Sequence, residues 1–242
     1  MISIGTSGSS YPEWKGSFYP EDMPTFKMLP YYSDRLSTVE INNTFYRMPS
    51  EKVLGDWSAA TPDGFTFTLK APRRITHVAK LRDCADVVQT FCARAQTLGP
   101  KLGILLFQLP PYLRKDAALL GEFVESVPEG TRATFEFRHR SWHCDDVFDQ
   151  LRARNLALCI ADSEKLTTPV VATADYGYLR LRDEGYQEAD FAKWAETIRR
   201  HEDVWGDTFV YFKHEEEGKG PEFAHAREKS LRAMASVLNR NN

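Results

Sequence analysis

Eight short strand-like runs, several of them alternating apolar with polar residues, recur along the chain. They are ISIGTS from Ile2, TVEIN from Thr38, FTFTLK from Phe65, LGILLFQ from Leu102, ATFEFR from Ala133, LALCIAD from Leu156, YLRLR from Tyr178 and FVYFKH from Phe209. A period of two is the mark of a strand, whose side chains point alternately to opposite faces. Between most of these runs the period lengthens to that of a helix. Val88, Phe91, Cys92, Ala95 and Leu98 form one stripe, ended by Gly99 and Pro100. Leu119, Leu120, Phe123, Val124 and Val127 form a second, stopped by Pro128. Phe191, Trp194, Ala195 and Ile198 form a third, and Leu231, Met234, Ala235 and Leu238 a fourth. Ser50 is placed to cap a shorter helix carrying Val53, Leu54 and Trp57. Strands alternating with helices predict right-handed βαβ units and a parallel sheet, doubly wound or closed. Eight strands favour closure, so the expected fold is α/β, an irregular TIM-like (β/α)8 barrel. The irregularity falls between strands 6 and 7, where Pro169 and β-branched residues replace the expected helix and predict a poorly helical segment. No linker, low-complexity tract or fixed-period repeat interrupts residues 1–242, which read as a single domain.

Parallel strands covered by helices usually read as continuous apolar runs. Several strands here do not. Val39 and Ile41 alternate with Glu40 and Asn42, Phe67 and Leu69 with Thr68 and Lys70, Phe135 and Phe137 with Glu136 and Arg138, Leu179 and Leu181 with Arg180 and Arg182. The apolar row is expected to face the helices, which turns the polar row into the barrel. Polar residues near the strand C-termini then reach the mouth, where βα loops build sites in this architecture. Adding Asp162 and Lys213 gives Glu40, Glu136 and Asp162 against Lys70, Arg138, Arg180, Arg182 and Lys213. Buried charges must be paired, so part of this set is expected to be an internal ion-pair network. The cationic surplus points to an anionic ligand, because guanidinium groups present forked donors suited to carboxylate or phosphate.

The loops after the strands add Ser7, Tyr46, Arg73, His77, Gln108 and His214 to the candidate ligand-binding set. They also place Tyr11, Trp14, Phe18, Tyr19, Phe45 and Tyr112 near the mouth, where rings can stack on a base or sugar or pack the loops down. The TSGSS turn after the first strand can offer backbone N–H groups to an anion.

Charge and composition narrow the function only modestly. The net charge of −3, with 42% hydrophobic and 27% charged residues, is that of an ordinary globular protein and gives no whole-molecule attraction to nucleic acid. The four cysteines show no CxxC pair and no Cys/His spacing suited to zinc, so they read as small core residues. No apolar run approaches the roughly 20 residues of a membrane helix, and no secretory leader is visible, which predicts a cytoplasmic protein with no membrane partner. GxGxxG, GxxxxGK[ST] and GxSxG are all absent, which removes dinucleotide, P-loop and α/β-hydrolase readings.

The stretches IGTSGSSYPEWKGSFYP, VEINNTFYRMP, FTFTLKAPRRITH, LGILLFQLPP, TFEFRHRSW, LALCIADS and YLRLR, in this order, resemble the YecE-like family, known as domain of unknown function 72. The resemblance covers nearly the whole chain and implies an irregular TIM-like barrel, with no particular activity attached. Two positions depart from the family pattern. Ser9 stands where a tryptophan is frequent, and FKHEEEG, with Lys213, His214 and Glu215, replaces an asparagine-rich run after the last strand.

Three functions follow from these residues. The first is an enzyme acting on an anionic small molecule or a nucleic-acid strand. Glu136 or Asp162, with Glu40 beside them, would transfer the proton, Lys70 would act as acid or electrostatic stabiliser, and Arg138, Arg180 and Arg182 would clamp the anion. No cofactor is expected. The second is metal-dependent phosphodiester cleavage of the endonuclease type, which needs more histidine and carboxylate ligands than His77, His139 and His214 supply. The third is a non-catalytic module that binds nucleic acid or another polyanion.

Overall fold

The computed structural model describes residues 1–162, 166–182, 186 and 188–212. Strands β1 (Ile2–Ser7), β2 (Thr38–Ile41), β3 (Thr66–Lys70), β4 (Leu102–Gln108), β5 (Ala133–Glu136), β6 (Ala157–Asp162), β7 (Tyr176–Leu181) and β8 (Asp207–Phe212) pair in sequence order. Every pairing is parallel. β8 returns to β1, from Ile2 against Thr208 to Thr6 against Phe212, and closes the barrel. The strand runs of the sequence are therefore all found, with β5 stopping at Glu136 rather than running on to Arg138.

Helices α1 (Met28–Ser33), α2 (Asn43–Tyr46), α3 (Glu51–Ala59), α4 (Ala85–Ala95), α5 (Ala117–Ser126), α6 (Asp145–Ala153) and α7 (Glu188–Arg200) lie between the strands. Ser50 caps α3 as expected, its Oγ accepting the Val53 N–H at 3.3 Å. Asp116 caps α5 in the same way, through Leu119 N–H at 3.1 Å. α4 buries Val88, Phe91, Cys92 and Ala95 and then tightens into a 3-10 turn over Gln96–Lys101 that contains Gly99 and Pro100. The short stripe of α6, Val147, Phe148 and Leu151, is one that the sequence reading did not single out. Residues 166–175 form no helix. Thr173 instead ties this segment to β6, accepting Leu158 N–H at 2.7 Å and donating to the Leu156 carbonyl at 2.8 Å. The stripe from Leu231 to Leu238 lies outside the described residues.

Strand alternation separates two cores. Val39, Ile41, Phe67, Leu69, Phe135, Phe137, Leu179 and Leu181 pack outward under the helices. Ile104, Leu106, Ala157, Cys159, Tyr176, Tyr178, Phe209 and Tyr211 fill the lumen as a second, distinct cluster. Tyr211 joins three strands there, its hydroxyl lying 2.7 Å from Thr38 Oγ1 and 2.8 Å from Thr68 Oγ1. The lumen is a packed interior, and its upper tier is where the polar row of the sequence arrives.

Gly5, on the lumen row of β1 with Ser7, sits opposite Thr38 in the register. A Cβ at this position would lie 2.0 Å from the Thr38 carbonyl oxygen, a backbone atom with nowhere to move. We expect Gly5→Ala to lower stability by about 3 kcal/mol or more through overpacking, read from the midpoint of urea unfolding.

Candidate functional site at the barrel mouth

The deepest part of the mouth is a closed set of charges. Arg180 on β7 places Nη2 2.5 Å from Glu40 Oε1 on β2 and Nη1 2.5 Å from Glu136 Oε2 on β5. All three are sealed from solvent, with exposures of 1%, 0% and 1% for Arg180, Glu40 and Glu136. Burial opposes the charged guanidinium, but Glu40 and Glu136 outweigh it and hold the Arg180 pKa well above its usual value. Ser7 Oγ donates to Glu40 Oε1 and Tyr178 OH to Glu40 Oε2, each at 2.5 Å. Burial, reinforced by Glu40, pushes the Tyr178 pKa far up, so the phenol keeps the proton it donates. Asn42 Nδ2 in turn donates to Ser7 Oγ at 2.9 Å.

The two carboxylates are not equivalent. Both oxygens of Glu40 are filled by donors from β1 and β7. Glu136 takes all its bonds on Oε2, from Arg180, from Gln108 Nε2 at 2.9 Å and from Arg182 Nη2 at 3.4 Å. Oε1 of Glu136 has no donor among the described residues. The Nε atoms of Arg180 and Arg182 are also buried without a hydrogen-bond partner among the described residues.

A second, cationic layer is built on β3 and its loop. Lys70 ends β3, and its Nζ lies 4.5 Å from the centroid of the Phe45 ring. The same ring meets His77 edge-on at 4.9 Å. His77 rides on a π-helical turn, Arg74–Val78, and its Nδ1 is 2.8 Å from Thr76 Oγ1. Lys80, Leu81 and Asp83 follow with φ of 52°, 73° and 45°, left-handed conformations that non-glycine residues rarely hold. Burial lowers the pKa of His77, and the charges of Lys70, Arg138 and Arg73 lower it further. Arg73 and Arg138 are exposed, and neither has a carboxylate partner among the described residues.

Several expectations are corrected by this geometry. Asp162 has the parity of Leu158 and Ile160, the helix-facing row, and its Oδ2 accepts the Tyr186 hydroxyl at 2.9 Å instead of joining Glu136. Arg180 grips carboxylates inside the barrel rather than an anion at its surface. Arg138 lies beyond the end of β5 and stands on the rim, not in the lumen. The amide of Gly8 in the TSGSS turn donates to the Glu40 carbonyl at 2.8 Å and so serves the sheet. Trp14 and Tyr19 are packing residues at 1% exposure, and the Tyr19 hydroxyl donates to the carbonyl of Ser9, while Tyr46 is 76% exposed beside Phe45. Lys213 and His214 lie outside the described residues. Tyr178 was missed by the sequence reading, although its two-residue offset from Arg180 in YLRLR was the signal that it shares the lumen.

Residues 3–241 match the family described as "Protein of unknown function DUF72". The chain belongs to the DUF72 family. It is 31% identical to the UPF0759 protein YecE of Escherichia coli K12 over 157 residues, 64% of this chain and 55% of that protein, so the match spans about half the length of this relative. The UPF0759 protein YunF of Bacillus subtilis 168 is 26% identical over 196 residues, 76% of this chain and 67% of that protein. Among solved structures, a DUF72 family protein from Thermotoga maritima MSB8 superposes with a TM-score of 0.85 at 28% identity, covering 96% of this chain and 99% of that one. That likeness agrees with the closed barrel of the described residues. Among the described residues, no group of three or more His, Cys, Asp or Glu is placed to hold a metal ion, and no helix is long and apolar enough to cross a membrane.

The two layers make opposite predictions for stability. Arg180→Leu strands two buried carboxylates and should cost about 3–5 kcal/mol, whereas Arg138→Ala should change stability by less than about 0.5 kcal/mol, both read by urea unfolding. For His77, whose folded pKa lies below the 6.5 of a free imidazole, the unfolded chain takes up its proton first. Stability is therefore lost as pH falls through 6.5 toward the folded pKa, with His143, lowered by its own burial, adding to the same trend. In chloride buffers, His77→Gln should lose less stability than the parent protein between about pH 7 and 5.5.

Proposed function

We propose that this DUF72 protein is an enzyme that holds an anionic substrate, bearing phosphate or carboxylate, against Lys70, Arg73, His77 and Arg138, and transfers a proton through Glu136. The observation that carries this reading is the division of charge. Below, Arg180 and Arg182 meet Glu40 and Glu136, and the pairs cancel. Above, Arg73 on the loop after β3 and Arg138 past the end of β5 are exposed with no carboxylate partner among the described residues, and their charges, with that of Lys70, lower the pKa of His77 after burial does. Glu136 belongs to both layers, anchored by Oε2 and available at Oε1, and this suits general acid–base work at a substrate held just above it. Glu40, saturated by donors, is a scaffold group, and Lys70 supplies electrostatic stabilisation.

The four cysteines, all free, fit a reducing, cytoplasmic setting. The exposed rings of Tyr46 and Tyr112 favour a second reading, a polyanion-binding surface without turnover. A metal-dependent phosphodiesterase draws no support from the described residues.

A panel of phosphorylated and carboxylated metabolites screened by thermal shift should give anionic ligands that raise Tm for the parent protein but not for the Arg73→Ala, Arg138→Ala double variant. With a turned-over ligand in hand, Glu136→Gln should lower kcat by about 10²–10⁴-fold at little changed KM. Turnover that survives Glu136→Gln undiminished removes Glu136 from the mechanism. Binding without turnover that weakens steeply with salt selects the second reading.

A further inference from the structure

We propose that the half of the rim built from the loops after β2, β3, β4 and β5 is a docking surface for a single-stranded nucleic acid. The proposal rests on the reading of the mouth as an anion site and names the polymer that carries the anion. Its first support is continuity. The four strands are consecutive in the barrel and all parallel, so their loops emerge at the same end. Contacts then tie each loop to the next. Phe45 after β2 meets His77 after β3 edge-on at 4.9 Å. Arg82 after β3 pairs with Asp116 after β4 at 3.0 Å, and Lys80 Nζ lies 5.4 Å from the centroid of the Tyr112 ring. After β4, the Lys115 N–H donates to Ser141 Oγ of the loop after β5 at 2.8 Å, and Trp142 Nε1 donates back to the Leu113 carbonyl at 2.8 Å.

The second support is charge. Up to the first residues of α3, α4, α5 and α6, these loops cover residues 42–50, 71–84, 109–116 and 137–144. They carry nine Lys and Arg against two carboxylates, Asp83 and Asp116, a local balance of +7 in a chain of net charge −3. Arg82 and Lys115 pair with Asp116 and Asp146. Six arginines, Arg47, Arg73, Arg74, Arg114, Arg138 and Arg140, are exposed and have no ion-pair partner among the described residues. The loop after β1, residues 8–27, carries only Lys15 and Lys27 against Glu13, Glu21 and Asp22, so the positive field lies to one side of the mouth. A stripe of guanidinium groups on one side is the footprint that a phosphate backbone fits. The third support is a pair of rings on the same stripe. Tyr46 is 76% exposed and Tyr112 63%. An unpaired base stacks on such rings, whereas the bases of a duplex already stack on one another. An acidic peptide would satisfy the arginines and leave both rings without a flat partner.

The probe is a fluorescein-labelled, mixed-sequence DNA oligonucleotide of about 16 nucleotides, enough to span one such surface. Its binding to the full chain is read by anisotropy between about 50 and 200 mM NaCl, beside an RNA of the same sequence, the matching duplex, polyglutamate and phosphatidylserine vesicles. Both single strands should bind, with log K falling against log salt by about 0.7 for each phosphate contacted. The quadruple variant Arg47→Gln, Arg74→Gln, Arg114→Gln, Arg140→Gln should bind at least about tenfold more weakly and with a shallower slope. Tyr46→Ala and Tyr112→Ala should each weaken single strands by about tenfold at an unchanged slope and leave the duplex unaffected. All six positions are exposed, so Tm should stay at the parent value and a lost affinity is a lost contact. A duplex that binds as tightly as the single strands, with the tyrosine changes having no effect on either, overturns the single strand as partner. Polyglutamate or vesicles that bind as tightly as the oligonucleotides overturn the nucleic acid. Oligonucleotides that fail to bind at about 50 mM salt, while a small anion still raises Tm, overturn the proposal and leave the anion-site reading in place. Binding of neither overturns both.

Discussion

The barrel mouth depends on one guanidinium held between two carboxylates. Arg180 reaches from β7 to Glu40 on β2 and Glu136 on β5, strands that are not neighbours in the sheet, so the contact braces the lumen across its width. Taking these ions out of water costs several kcal/mol each, and their attraction offsets that cost only with close geometry and further donors on the remaining lone pairs. Ser7, Tyr178 and Gln108 are those donors. Anchoring Glu136 through Oε2 also fixes the direction of Oε1.

The division into a neutral lower layer and a cationic upper one has an electrostatic consequence. Paired charges inside the barrel contribute little field at the rim, whereas Arg73 and Arg138 are exposed there with no carboxylate partner among the described residues. Burial first, and then the charges of Lys70, Arg138 and Arg73, lower the pKa of His77. Phe45 touches both Lys70 and His77, offering its ring to the ammonium and meeting the imidazole edge-on.

Much of this was legible in the sequence, for a physical reason. TVEIN, ATFEFR and YLRLR break the continuous apolar pattern of a covered parallel strand, and that break marks a polar lumen. What stayed hidden was the pairing. Arg180 meets Glu40 across 140 positions of chain and Glu136 across 44, and only the closed register of the barrel brings them together. Asp162 was misplaced for a simpler cause. In LALCIAD the uniform apolar character disguises which row is inward, and the lumen parity belongs to Cys159 and Ala161, one step out of phase with Asp162. Arg138 keeps its parity, but the strand ends before it and the side chain is left on the rim.

The loop that carries Arg73 and His77 is held in an unfavourable backbone, and its neighbours explain how. Left-handed φ at Lys80, Leu81 and Asp83 persists only where surrounding contacts overdetermine it. Leu81 is buried, and its N–H donates to the Ile75 carbonyl at 3.0 Å, tying the strained residue back to the π-helical turn. Arg82 pairs with Asp116 at 3.0 Å, and Lys80 lies over the ring of Tyr112 at 5.4 Å, so the β4–α5 connection grips the loop from the other side. A π-helical turn followed by three strained residues is an improbable way merely to join β3 to α4, for which an ordinary helical turn would serve. Its effect is to fix the backbone that carries His77, whose ring meets Phe45 edge-on at 4.9 Å.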